Sequence, residues 1–165
     1  MSAPDGWTRF VMRSKMGAGR DFKVEDTDGN VLYIVDGKVG ARPKAEIKDA
    51  SGSLRWSVKG HLLGFPKSMD VVDAQGNEFG TLKAKMVSPV KDRETLHLAD
   101  GTEWHLKGSF LEKNYEIQSD AGPVAEVSQK WISVRDAFTV DVVNGLDVCL
   151  VLALVWSVDR WVEHD

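Results

Sequence analysis

Two histidines at strand spacing are the first residues whose chemistry we consider. His97 and His105 lie in runs that alternate polar and apolar residues, and a hairpin loop over residues 100–102 would place them opposite each other on an outer face. Two imidazoles with Glu103 beside them would form part of a metal shell. A closed zinc site needs four ligands and a catalytic site three, so we expect exposed histidines without a metal.

A second group with possible chemistry is basic. Lys83 and Lys85 have the two-residue spacing that places side chains on one face of a strand, and Lys91 and Arg93 follow in the next turn. Such a patch suits phosphate headgroups, because each basic residue contributes about 1 kcal/mol near an anionic surface. The alternative interpretation is a solvated sheet face beside a lysine-rich turn. A vaguer second basic group comprises Arg9, Arg13, Lys15 and Arg20.

Charge is unevenly distributed along the chain. Residues 1–93 carry 16 basic and 12 acidic side chains, a net charge of +4, whereas residues 94–165 carry 5 and 13, a net charge of −8. The total of −4 argues against general nucleic-acid binding, which needs a basic stripe to neutralise phosphates. The uneven distribution of charge indicates that the basic part, residues 1–93, contacts a partner of another kind.

Motifs typical of enzymes and cofactor sites are missing from the sequence. There is no P-loop, nucleophile elbow, HExxH or CxxC pair, so we expect no catalytic residue and no cofactor. Asp26, Asp28 and Asn30 alternate as in a calcium loop, but Gly29 falls at the fourth position where an EF-hand needs its glycine at the sixth. Cys149 lies in an apolar run, which favours a small buried side chain over a reactive thiolate.

Five turns at a nearly constant interval indicate the strands that position these residues. Their glycines, at positions 29, 52, 76, 101 and 122, are separated by 23, 24, 25 and 21 residues, which suits two strands and two turns each. The intervening runs alternate, as expected of an antiparallel sheet with one wet face. We predict strands near 7–13, 20–25, 30–35, 43–48, 54–60, 68–73, 78–86, 94–99, 102–111, 114–118, 123–131 and 137–143.

The fourth turn also allows a prediction of register. A two-residue turn at Asp100 and Gly101 would put apolar side chains opposite polar ones. A loop over residues 100–102 instead pairs Leu98 with Trp104, which we prefer.

The segment from Val148 to Val158 is apolar except for Ser157. Eleven helical residues rise roughly 17 Å, too short for a bilayer span of about 20 residues, so we expect no membrane crossing. We predict a helix near 145–160, with Asn144 as its N-cap and Asp147 in its first turn. A helix that is apolar all round must be enclosed by protein, and a closed barrel of twelve strands is wide enough to hold one.

Several segments resemble one family, the LURP-one-related proteins, which are similar to the tubby C-terminal domain and the phospholipid scramblases. The resemblance extends from about Arg9 to Trp161 and implies a closed twelve-stranded antiparallel β-barrel around a central hydrophobic C-terminal helix. The family has no settled biochemical activity; tubby domains bind phosphoinositides, and scramblases act on membrane lipids in a calcium-dependent way. The segments are GSFLEKNYEI (108–117), PVAEVSQKW (123–131), Asp136, Phe138 and Val140, and NGLDVCLVLALVWSVD (144–159).

We therefore expect a single domain over residues 1–165, in a cytosolic, non-enzymatic binding module that docks an anionic phospholipid surface or a protein partner. A single cysteine and the lack of a signal peptide in MSAPDGWTRF favour a reducing compartment. The alternatives are a carrier of, or enzyme on, a small apolar ligand held inside the barrel, and an interaction scaffold that uses a sheet edge or an exposed aromatic such as Trp7 or Trp161. Ligand identity and oligomeric state are not predicted.

Overall fold

The computed structural model describes residues 2–15, 21–61, 67–85, 92–132 and 136–164 and contains twelve strands followed by one helix. The number and order of elements are those predicted. The strands are β1 Trp7–Ser14, β2 Phe22–Glu25, β3 Val31–Lys38, β4 Lys44–Asp49, β5 Leu54–Gly60, β6 Ser68–Asp73, β7 Glu78–Lys85, β8 Asp92–Leu98, β9 Glu103–Ser109, β10 Asn114–Ser119, β11 Gly122–Ser128 and β12 Ala137–Val143; the helix is α1 Val148–His164.

The sheet is a closed up-and-down barrel in which every strand pairs antiparallel with its sequence neighbours, and β1 pairs with β12. Connections must therefore alternate between the two ends of the barrel. We call the end that carries the five glycine turns and the link from β12 to α1 the turn end. The opposite end, where odd-numbered strands lead into even-numbered ones, is the loop end.

Alternation of side chains explains why these segments form one curved sheet. In β9, Trp104 and Leu106 point inward and are 7% and 0% exposed, while His105 and Lys107 face solvent. The same two-residue period recurs in β4 and β10 and gives each strand one apolar face. These faces line the lumen and form the core with the helix.

The first four glycine turns share one geometry, and this geometry corrects the predicted register at the fourth turn. In the first, the Asp26 N–H donates to the Asn30 carbonyl, and Gly29 adopts a φ of 89°. In the fourth, Leu98 and Thr102 take those positions, so Leu96 pairs with Trp104, and the Leu98–Trp104 pairing was wrong. The cause is that the glycine, not the preceding aspartate, aligns the turns, because only glycine adopts this φ freely.

The helix begins three residues later than predicted. Asp147, and not Asn144, is its N-cap: the Cys149 N–H donates to Asp147 Oδ1 at 2.9 Å, which satisfies a free amide at the helix start. Asn144 instead accepts a hydrogen bond from the Thr8 hydroxyl at 2.6 Å. The Trp56 indole donates to the second Asp147 oxygen at 2.9 Å and so fixes the helix start to β5.

The helix runs through the barrel from the turn end to the loop end. Every residue from Cys149 to Asp159 is at most 4% exposed. Near the loop end, Lys113, in the connection between β9 and β10, donates to Asp159 at 2.7 Å, and both side chains are largely buried. The predicted enclosure of the apolar helix is confirmed, and polar bonds hold it at both ends.

Candidate functional site

The two histidines lie on one outer face but not opposite each other. In the observed register His97 faces Glu103 and His105 faces Thr95. The Glu103 carboxylate lies 3.3 Å from His97 Nδ1 and 3.9 Å from His105 Nε2, and all three side chains are nearly half exposed. In the part of the chain that the structure describes, no group of three or more histidine, cysteine or acidic residues is placed to hold a metal ion.

The predicted basic patch lies on β7 and β8 near the loop end. Lys83 and Arg93 are exposed on the outer face, and β9 adds Lys107, which is directly opposite Arg93. The backbone of Lys85 pairs with that of Arg93 on the other side. Lys91 lies outside the described residues. Two cations directly opposite each other on adjacent strands repel, so Arg93 and Lys107 favour a bound anion between them, while Glu116 lies opposite Lys107 on β10.

The second basic group is divided between a buried and two exposed residues among the described positions. Arg9 is buried, and its guanidinium donates two hydrogen bonds of 2.8 Å to the Asp141 carboxylate. Arg13 is exposed and pairs with Glu25 at 3.1 Å. Lys15 is exposed at the loop end, whereas Arg20 lies outside the described residues. Arg9 is thus a structural residue that links β1 to β12, because these strands close the barrel.

The turn end is acidic. Seven aspartates lie in or beside its six connections, and no lysine or arginine lies in any of them. Glu78 and Glu103, at the first positions of their strands, add exposed acids. Within two residues of this end, Arg55 is the exposed basic side chain among the described residues. The aspartates are Asp26, Asp28, Asp49, Asp73, Asp100, Asp120 and Asp147.

The loop end has the opposite character. Within its described connections and the two adjoining residues of each strand, the exposed acids are Glu112 and Asp136. Lys83, which belongs to the basic patch, lies one residue further from the loop end than this set of residues. In the structure, the charge therefore differs between the two ends of the barrel: the turn end is acidic and the loop end is basic. Exposed basic residues at this end are Arg13, Lys15, Lys23, Lys38, Arg42, Lys44, Lys59, Lys67, Arg93 and Lys130.

A groove of about 500 Å³ lies beside the basic patch on the outer face. Arg93 and Lys107 line one side of it, and Glu116 and Glu126 line the other. Gly108 also lines the groove, and a Cβ there would meet the Asn114 carbonyl oxygen, so β9 and β10 approach each other closely at this position. Cations and carboxylates in the same groove make it less selective for anions than the rim of the loop end.

Cys149 is buried at the start of the helix, as predicted, and is 2% exposed. Removal from water, followed by the nearby Asp147 carboxylate, raises the pKa of the thiol to about 12. A neutral, buried thiol cannot act as a nucleophile at physiological pH.

Sequence reasoning missed Trp131, the exposed aromatic side chain among the described residues, and was wrong about the exposure of Trp161. Trp161 is buried at 7% and Trp7 is half-buried, whereas Trp131 is 50% exposed. The Trp131 ring lies 5.0 Å from the Arg9 guanidinium and 4.7 Å from the Lys130 ammonium. The usable signal in the sequence was position: Trp131 follows the apolar-alternating run of β11, where a connection must begin.

Comparison with known proteins agrees with this architecture. A sequence model of the LURP-one-related family matches residues 8–159. An X-ray structure of an Arabidopsis thaliana protein superposes with a TM-score of 0.68 at 21% sequence identity, and the match covers 93% of this chain and 91% of that one. At this identity the likeness shows the fold alone. No functionally curated protein is significantly similar to the chain.

Proposed function

The chain belongs to the LURP-one-related family, and we propose that it is a non-enzymatic binding module that docks anionic phospholipid headgroups. Family membership carries no activity with it, so the proposal rests on the surface of this chain. Its site is the basic patch of Lys83 and Arg93 together with the basic rim of the loop end. We place the protein in the cytoplasm, at the periphery of a membrane.

The observation that carries the proposal is the axial charge polarity. An anionic membrane attracts the loop end, which has many exposed cations, and repels the turn end, whose connections carry only acids. The overall charge of −4 would not favour an anionic surface, so the segregation of charge is what makes docking favourable. Attraction of this kind acts within about 8 Å at physiological salt, which confines docking to the rim itself.

The competing interpretations have less support among the described residues. A ligand carrier needs space between helix and wall, but Leu150 to Val158 are at most 3% exposed and pack against the barrel. No helix among the described residues is long and apolar enough to cross a membrane. The proposed membrane contact uses the exterior of the barrel.

The proposal predicts that Arg93→Glu weakens binding to phosphatidylserine-containing vesicles roughly thirtyfold. The reversal changes the local charge by two units, and each unit contributes about 1 kcal/mol near an anionic surface. Arg55→Glu is the matched control, because it makes the same change on an exposed side chain at the turn end. Vesicle co-sedimentation at several lipid concentrations measures both affinities.

Arg55→Glu should bind within about threefold of the unaltered protein, since its distance from the lipid exceeds the screening length. Equal losses in the two variants would show that net charge matters and location does not. Equal binding of the unaltered protein to neutral and anionic vesicles would remove the basis of the proposal.

A further inference from the structure

Three of the four large apolar side chains that the structure shows as exposed lie at the loop end. Val39 is 77% exposed, Leu111 is 76% exposed and Trp131 is 50% exposed. Each belongs to a different connection: Val39 follows β3, Leu111 follows β9 and Trp131 follows β11. Since these connections occupy separate positions around the rim, the three side chains mark three corners of one end face.

Two of these three apolar residues have exposed basic residues close to them in the chain, whereas Leu111 precedes the exposed Glu112. Lys38 precedes Val39 and Arg42 follows it, and Lys130 precedes Trp131. Lys130 also stacks on the Trp131 ring at 4.7 Å. Protruding apolar side chains beside cations are the composition of a surface that lies in the headgroup region of a bilayer, where tryptophan is also enriched.

The turn end offers the contrast. Its one exposed large apolar side chain among the described residues, Val31, is 39% exposed, half the value at Val39. Val31 lies next to the turn that contains Asp26 and Asp28, so an anionic surface would repel it. Apolar exposure and positive charge therefore coincide at one end of the barrel only.

We propose that the protein stands end-on at an anionic bilayer, with Val39, Leu111 and Trp131 inserted into the headgroup and upper acyl region. The barrel axis is then close to perpendicular to the membrane plane, and the turn end points into the cytoplasm. This inference rests on the proposed lipid binding and adds its orientation and its anchors. Positive charge brings the rim to the surface, and burial of the three apolar side chains holds it there.

A soluble acidic protein is the other partner with matching charge, but the exposed apolar side chains favour the bilayer. Among the described residues they lie in separate connections around the rim, whereas a contiguous apolar patch marks a protein interface. Three separate apolar side chains around one end of the barrel can all contact a bilayer at once, because a bilayer is planar and fluid.

The chain allows a direct test of depth, because Cys149 is its one cysteine and is buried with a neutral thiol. Val39→Cys, Leu111→Cys and Val31→Cys can each be labelled with an environment-sensitive NBD fluorophore at the new residue. Each labelled protein is then mixed with phosphatidylcholine vesicles that contain phosphatidylserine and doxyl-labelled lipid quencher. Cooperative thermal unfolding and co-sedimentation of the same samples verify folding and binding.

We expect blue-shifted emission and at least a twofold quench for the labels at positions 39 and 111, and neither change at position 31. Bound protein whose labels at 39 and 111 stay unquenched would overturn insertion and leave headgroup docking intact. Quenching at position 31 equal to that at 39 and 111 would overturn the orientation. If no labelled or unlabelled protein co-sediments, the proposed function itself fails, and the inference fails with it.

Discussion

Leu152→Asp is expected to abolish folding. Leu152 is 0% exposed in the middle of α1, and apolar side chains surround it on every side. The substitution removes Leu packing worth about 2–5 kcal/mol and buries a carboxylate that has no partner, which costs several kcal/mol more. The sum is comparable with the whole stability of an ordinary domain, roughly 5–15 kcal/mol. Circular dichroism and a thermal scan of the purified variant check the result.

Leu111→Asp is the matched control, because it makes the same chemical change at a side chain that is 76% exposed. It should fold with a stability within about 0.5 kcal/mol of the unaltered protein, as surface substitutions generally do. A Leu152→Asp protein that is soluble and unfolds cooperatively would contradict enclosure of the helix.

Arg9→Met is expected to cost about 3–5 kcal/mol of unfolding free energy, the usual result of breaking a buried ion pair. The Arg9 and Asp141 side chains are 5% and 8% exposed and joined by two hydrogen bonds, so the variant leaves a buried carboxylate without its cation. The pair joins residues 132 positions apart across the β1–β12 contact that closes the barrel. Urea denaturation gives the difference directly.

The double variant Arg9→Met, Asp141→Leu separates the charge effect from packing. It should regain most of the lost stability, because two apolar side chains replace the pair and no charge remains buried. A single variant that loses less than about 1 kcal/mol, or a double variant as unstable as the single one, would show that the pair does not secure the closure.

The strands and the helix could be predicted because local patterns determine them. Glycine turns at a regular interval set the hairpins, and the alternating residues of β9 and β10 show which face is buried. An apolar helix has to be enclosed, and twelve strands can enclose it. These arguments use residues a few positions apart, or the total number of elements, and need no long-range contact.

The details that failed depend on contacts that a sequence does not display. The fourth turn was predicted as a loop over residues 100–102, but Leu98 and Thr102 close it and Gly101 is its last residue, so the histidine pairing shifted with it. Asp147 became the N-cap because Trp56, 91 positions away, binds its second carboxylate oxygen. Arg9 was assigned to a basic patch because its partner Asp141 lies on the last strand.

The surface proposed for binding became visible only through the topology. Counting charge along the chain showed a basic and an acidic part, but neighbouring strands run in opposite directions, so residues distant in sequence share a barrel end. Val39, Leu111 and Trp131 are unremarkable in the sequence, since single apolar residues in loops are common. Their position on one basic rim is what gives them a role.

The central claim is that the barrel stays closed around its helix while the loop end binds an anionic membrane. Hydrogen–deuterium exchange measured with and without phosphatidylserine vesicles tests both halves together. We expect the amides of Val151 to Val158 to exchange most slowly in either condition, and vesicles to slow exchange around Val39 and Leu111 without affecting the turns at Gly52 and Gly76. Vesicle-induced exposure of the helix, or slowing at the turn end alone, would contradict the account.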